Sequence, residues 1–215
     1  KGALERIKTL LFDVVLRGKK TPMPLHLVEI KPGVIFETED FTVTAFSVSH
    51  GKADSLGYIF EEKARRPFLA EKADALGVPF GPERKALVSG EAVTLSDGKR
   101  ILPEDVLGDW EKGSKLVIVG DTGRVDNLIE ACQDADAVVI ESTYLDEEAD
   151  MAGQFSHLTA KMGAELAQKA GVKQLILTHI SRRYRGKDVL AEAQTVFQDT
   201  VVARDFDTFV IKKEL

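Results

Sequence analysis

A chain of 215 residues with one cysteine, one tryptophan and four histidines has little material for disulfides or for closely spaced metal motifs. Cys132 alone excludes an internal disulfide framework, and such sparing use of cysteine fits a reducing, cytoplasmic compartment. It follows Leu128 at helical spacing and reads as a small core residue rather than a reactive thiol. No apolar run approaches the roughly 20 residues that cross a bilayer, so no membrane partner is expected. Lys1, Glu5, Arg6 and Lys8 break up the apolar residues at the start, which excludes a signal-peptide pattern there. Internal repeats and low-complexity tracts are also absent.

The net charge of −6 argues against nucleic-acid binding by bulk charge, but distribution matters more than the sum. Segment 63–85 holds six basic residues (Lys63, Arg65, Arg66, Lys72, Arg84, Lys85) against three acidic ones. A second cluster, Arg182, Arg183, Arg185 and Lys187, lies just past His179. An acidic body with two basic patches is compatible with a polyanionic substrate. On charge alone, solvated loops are the simpler account.

What the chain does have is three short apolar runs that each stop at a polar residue. Residues 116–119 lead into Gly120-Asp121-Thr122, residues 137–140 into Glu141-Ser142-Thr143, and residues 175–177 into Thr178-His179. Such runs read as strands covered on both faces. In layered α/β folds, chemistry collects at the carboxyl ends of these strands. From Lys115 onward the expected order is strand, helix, strand, helix, strand, helix, strand. The clearest helix covers 158–170, with Leu158, Met162 and Leu166 on one stripe, Thr159 or Ser156 as cap and Gly171 as the left-handed stop. Earlier, residues 3–17 read as a helix and turn, and 25–30, 34–36, 41–48 and 57–61 as strands of an antiparallel meander. Residues 62–113, broken by prolines and glycines, read as an inserted arm. It has a short helix near 70–76 and a hairpin around Ser96-Asp97-Gly98.

The candidate chemistry follows from residue type. His50, Asp121 and His179 each end an apolar run. Imidazole and carboxylate suit zinc or manganese at a hydrolytic centre. Glu141 and His157 form a second pair, since a carboxylate behind an imidazole orients it and supports its protonated form. His26, within a predicted strand, reads as structural or surface. No local spacing proves a site, because these residues come from distant parts of the chain.

Six stretches together resemble one family: Ser47-Val48-Ser49-His50 leading to Ser55-Leu56-Gly57-Tyr58; Gly77-Val78-Pro79-Phe80-Gly81-Pro82; Gly120-Asp121-Thr122; Glu141-Ser142-Thr143; His157-Leu158-Thr159-Ala160; and Leu177 through Tyr184. In order and separation they resemble the C-terminal part of ribonuclease Z, the tRNA 3′-end processing endonuclease of the metallo-β-lactamase superfamily. The resemblance implies an α/β, αββα-layered metallo-β-lactamase-type sandwich lacking its N-terminal part. This would be a single domain over 1–215 with a tRNA-binding arm at about 62–113. It implies His50 as a ligand of a first zinc, Asp121 as a bridge and His179 as a ligand of a second. Glu141 and His157 become the acid–base pair. Gly81, Pro82, Arg84 and Lys85 on the arm, with Arg183 and Tyr184 beside His179, become RNA contacts. Precursor tRNA and a homodimeric partner are implied as well.

One part of the family pattern is absent. No His-x-His-x-Asp-His occurs anywhere in the chain, although that motif supplies most of the remaining ligands in the family. The expectation is a chain that starts after the motif and binds one ion or none by itself. The leading functional expectation is a zinc-dependent endoribonuclease that removes the 3′ trailer of precursor tRNA. The alternatives are a non-catalytic tRNA-binding or dimerising fragment, and a related hydrolase acting on a small ester.

Overall fold

The computed structural model describes residues 2–18, 21 and 23–211. Its centre is a seven-stranded mixed sheet. Strands β1 (Gly33–Glu37), β2 (Phe41–His50) and β3 (Ala53–Glu62) form the expected antiparallel meander. In β2 the alternation resolves into burial of Val43 and Ala45, with Val48 buried further on. The arm then intervenes with β4 (Val93–Thr94) and β5 (Arg100–Ile101), paired as the expected hairpin. The chain returns to the sheet as β6 (Lys115–Ile118), β7 (Ala137–Glu141), β8 (Leu175–Thr178) and β9 (Thr200–Val202). These four run parallel in that order, as strands joined by helical crossovers do. The described strands therefore supply one large sheet of the layered arrangement.

This topology sets where the strand ends go. β6 and β2 both run antiparallel to β3, so their carboxyl ends emerge at the same edge. Glu141 at the end of β7 stands opposite Thr178 at the end of β8. His50, Asp121, Glu141 and His179 are thereby delivered to one rim, although they come from opposite halves of the sequence.

The main core lies between this sheet and its helices, where Val117, Leu128, Ile140, Leu158, Leu175, Leu177 and Val189 are fully buried. Helix α7 (Ala160–Ala170) follows α6 (Ala149–Phe155), and its start is capped by Thr159, whose side chain accepts the backbone N–H of Met162. Gly171 ends it at φ +66°, the left-handed stop expected from sequence. Helix α8 (Gly186–Gln194) covers β9. Cys132, at the end of α5 (Ile129–Cys132), sits in the main core.

The arm is a folded unit rather than a loop. Helices α2 (Ala70–Ala75), α3 (Pro82–Val88) and α4 (Pro103–Val106) enclose a separate small core of Ala73, Val78, Leu87, Ile101 and Val106. Its base is closed by backbone pairing of Arg65 with Glu111 and of Phe68 with Leu107.

One expectation needs correction. Residues 25–30 form no strand, and Leu25, His26 and Val28 are exposed. An apolar run becomes a strand only where a neighbour takes its N–H and C=O groups, and no described strand does. The initial helix is α1 (Ala3–Lys8), continuing to Val15 in wider π-type turns. Among the described residues no helix is long and apolar enough to cross a membrane.

Burial generates two expected outcomes. Leu177→Ala empties a fully buried position and should cost about 2–5 kcal/mol, read as a lower urea midpoint. Burial also pushes the Cys132 thiol up from 9.0 to about 12, with Lys115 opposing weakly. The folded state therefore favours the neutral thiol. Its contribution to stability is full below pH 9.0 and is lost as pH rises towards about 12. Iodoacetamide at pH 8 should leave Cys132 unmodified until denaturant unfolds the chain; fast labelling of the folded protein would contradict this.

Candidate active site

Glu141 is 1% exposed at the end of β7, where a carboxylate without partners would be very costly. Every acceptor position on it is used. Oε1 accepts the backbone N–H of Thr122 at 2.9 Å and Nδ1–H of His157 at 2.8 Å. Oε2 accepts the backbone N–H of Thr143 at 3.2 Å and its hydroxyl at 2.5 Å. An ionised carboxylate has about four such positions. These bonds tie the loop after β6, the loop after β7 and the start of the segment leading to α7 to one buried group.

Around that anchor the imidazoles converge. Donor atoms of His50, Asp121 and His157 lie within 4.8 Å of one another. His179 Nε2 is 3.5 Å from Asp121 Oδ1. The His157 ring lies 5.1 Å from that of His50 and 5.5 Å from that of His179. His50 donates Nδ1–H to the carbonyl of Ser156 at 2.9 Å, which leaves its Nε2 lone pair directed elsewhere. That second bond is the usual means of fixing a ligand imidazole. His26 is far along the chain in an exposed irregular segment and belongs to no such group.

The donor set suits a zinc-type cation. His50 and Asp121, with either His157 or His179 as the further imidazole, can furnish one centre. They do not complete two four-coordinate sites.

The backbone at this rim is unusual. Ser156 and His179 both adopt left-handed conformations, at φ +59° and +54°, which are unfavourable for residues with a Cβ. Each carbonyl holds a site side chain: Ser156 O accepts from His50, and His179 O accepts from Thr143 Oγ1 at 3.2 Å. Gly123 makes the first arrangement possible. A Cβ there would lie 2.8 Å from Ser156 Cα.

The expected RNA contacts divide into two groups. Gly81, Pro82 and Lys85 are exposed at the start of α3 on the arm. Arg84 is engaged internally, bonded to Asp74 and to the carbonyls of Val78 and Pro79, with its guanidinium 4.2 Å from the Phe80 ring centre. Arg183 pairs with Glu148 at 2.8 Å. The ring of Tyr184 packs against the main core, and its hydroxyl is buried. Sequence reading missed Thr122, Thr143 and Ser156 as supports of the site. The available signal for Thr122 and Thr143 was a hydroxyl residue one or two positions after a strand-end carboxylate; no local signal marks Ser156.

Two substitutions test this geometry. Glu141→Ala leaves buried donors on Thr122, Thr143 and His157 without an acceptor. It should lower stability by at least about 2 kcal/mol in urea unfolding. Gly123→Ala must displace Ser156 and with it the partner of His50. It should weaken whatever affinity the parent shows for an added divalent cation such as zinc about tenfold in calorimetry; unchanged affinity would show that Ser156 does not orient His50.

Comparison with known proteins bears on the family and the fold. Residues 105–180 match the model of the beta-lactamase superfamily domain. The chain is 45% identical over 206 residues to ribonuclease Z of Bradyrhizobium sp. (strain ORS 278), covering 93% of itself and 68% of that relative. It is 42% identical over 214 residues to ribonuclease Z of Listeria monocytogenes (serotype 4b, strain CLIP80459), covering 98% of itself and 69% of the relative. Among solved structures, the short form of human tRNase Z superposes with a TM-score of 0.51 at 24% identity, over 84% of this chain and 47% of that one. The metallo-beta-lactamase fold protein YhfI of Bacillus subtilis gives 0.53 at 16% identity, over 82% of this chain and 52% of that one. The chain thus spans about two thirds of the curated relatives and about half of these solved chains. Sequence identity over that length places the chain in the ribonuclease Z family, on a metallo-β-lactamase-type fold.

Proposed function

We propose that the protein is a zinc-dependent endoribonuclease that removes the 3′ trailer from precursor tRNA. The observation that carries this reading is the convergence of His50, Asp121, His157 and His179 on one rim beside a fully bonded Glu141. His50, Asp121 and His179 would hold the metal, with manganese as a substitute for zinc. A metal bound there supplies an activated water and neutralises charge on the scissile phosphate. The chain's own residues do the rest. Glu141 fixes Nδ1–H of His157, which directs Nε2 towards the reacting phosphodiester. Protonated there, His157 gives its proton to the leaving oxygen, a role worth about 10²–10⁴ in rate.

The arm supplies positioning. The exposed Arg65, Lys72 and Lys85 suit phosphate contacts that hold the tRNA body without reading sequence. The family reading extends to a cytoplasmic homodimer in which one subunit's arm holds the tRNA cut by the other. A non-catalytic RNA-holding role is favoured by one observation, namely that the described donors do not complete two metal sites.

Cleavage of 3′-extended precursor tRNA with zinc or manganese tests the proposal. It should be run on this chain and on a chain extended to the full length of its relatives. The extended protein should cut, and Asp121→Ala should abolish cutting. His157→Ala should lower kcat by about 10²–10⁴. No cleavage by the extended protein would sink the enzyme assignment, and tight stoichiometric zinc binding by the 215-residue chain would contradict the non-catalytic reading. Deleting 63–107 should abolish tRNA affinity and spare the hydrolysis of small phosphodiesters.

A further inference from the structure

We propose that Thr143 is a positioning residue, whose hydroxyl ties the Glu141–His157 pair to the turn carrying His179 and so sets the spacing of the two imidazoles. The proposal rests on the ribonuclease reading for its kinetic consequence but not for its structural one.

The Thr143 hydroxyl stands among three groups of the site. It is 2.5 Å from Glu141 Oε2, 3.2 Å from the carbonyl of His179 and 3.3 Å from His157 Nδ1. Its one proton is shared unequally between the near carboxylate and the more distant carbonyl, and its lone pairs face the imidazole N–H, whose main acceptor is Glu141 Oε1 at 2.8 Å. Among the described residues no other side chain bonds both to Glu141 and to the His179 turn. The backbone of the same residue makes parallel links. Thr143 N–H donates to Glu141 Oε2, and its carbonyl accepts the N–H of Ser181 at 3.3 Å. Thr143 therefore spans the ends of β7 and β8 by main chain and side chain together.

The position of His179 gives this link its consequence. Its side chain is half exposed, and its backbone holds a left-handed conformation that residues with a Cβ disfavour. Such a turn persists only where its surroundings impose it. The hydroxyl bond to its carbonyl is a tie on the side facing His157. Without it, the 5.5 Å separation of the His157 and His179 rings has no side-chain support from the β7 end. Supports of this kind commonly change activity or metal affinity by about 10–100-fold when removed.

The test compares Thr143→Val, of similar shape without the hydroxyl, with Thr143→Ser, which restores it. Thr143→Ala serves as a second variant without the hydroxyl. Nitrogen-15-labelled protein reports the His157 Nδ1–H signal and the ring-to-ring Overhauser effect between His157 and His179. In Val and Ala variants the Nδ1–H signal should broaden and the ring-to-ring effect weaken while the protein remains cooperatively folded, at a urea midpoint lowered by the loss of one donor to Glu141. In the precursor-tRNA assay kcat should fall about 10–100-fold with KM within about twofold. Ser should recover both readouts. Unchanged ring signals and kcat in Val and Ala, or a Ser variant behaving like Val, would overturn the proposal. So would a kcat loss matched by general unfolding. If the parent protein cleaves no precursor tRNA, the ribonuclease reading fails, and the ring signals alone decide the role of Thr143.

Discussion

The buried carboxylate of Glu141 is the constraint on which the site depends. A charge at the end of a central strand is tolerated only when its acceptor positions are filled. Here the four donors come from Thr122, Thr143 and His157. Filling them forces three loops into contact. Asp121 is adjacent to one donor, His157 is another, and the turn of His179 is bonded to the third residue. The arrangement of candidate metal-binding and acid–base groups is thus a by-product of satisfying one buried charge.

Sheet topology does the coarser placement. Parallel strands bring Asp121, Glu141 and His179 to the same edge because every crossover restarts its strand at the opposite edge. His50 reaches that edge through the antiparallel half, two strands away from β6. The Ser156 carbonyl then catches its ring across 106 residues of sequence. The arm is decoupled from all of this. It has its own small core and is closed at its base by short backbone pairings, so its basic surface can be built without disturbing the rim.

Arg84 shows how a residue type can mislead. Counted as a charge it belongs to the basic excess of 63–85. In the fold its guanidinium is occupied by Asp74, by two carbonyls and by the Phe80 ring. Composition counts charges, whereas availability depends on neighbours. The 25–30 run misleads for the complementary reason. Its apolar residues satisfy the pattern of a strand, but a strand also needs a partner, and a partner is a property of the whole sheet.

The sequence by itself determined the local elements: the parallel strands and their polar ends, the antiparallel meander, α7 with its Thr159 cap and Gly171 stop, and the inserted arm. These follow from nearest-neighbour sterics and from hydrophobic periodicity, which are written in consecutive residues. The quoted stretches also carried the family likeness, because they hold the strand-end carboxylates and histidines in order. Only the tertiary structure decided that His50 meets Asp121 and His157, that Thr122 and Thr143 fill the Glu141 carboxylate, and that Ser156 and His179 take left-handed backbones. Those outcomes depend on strand order and loop packing across many tens of residues. No local pattern encodes them.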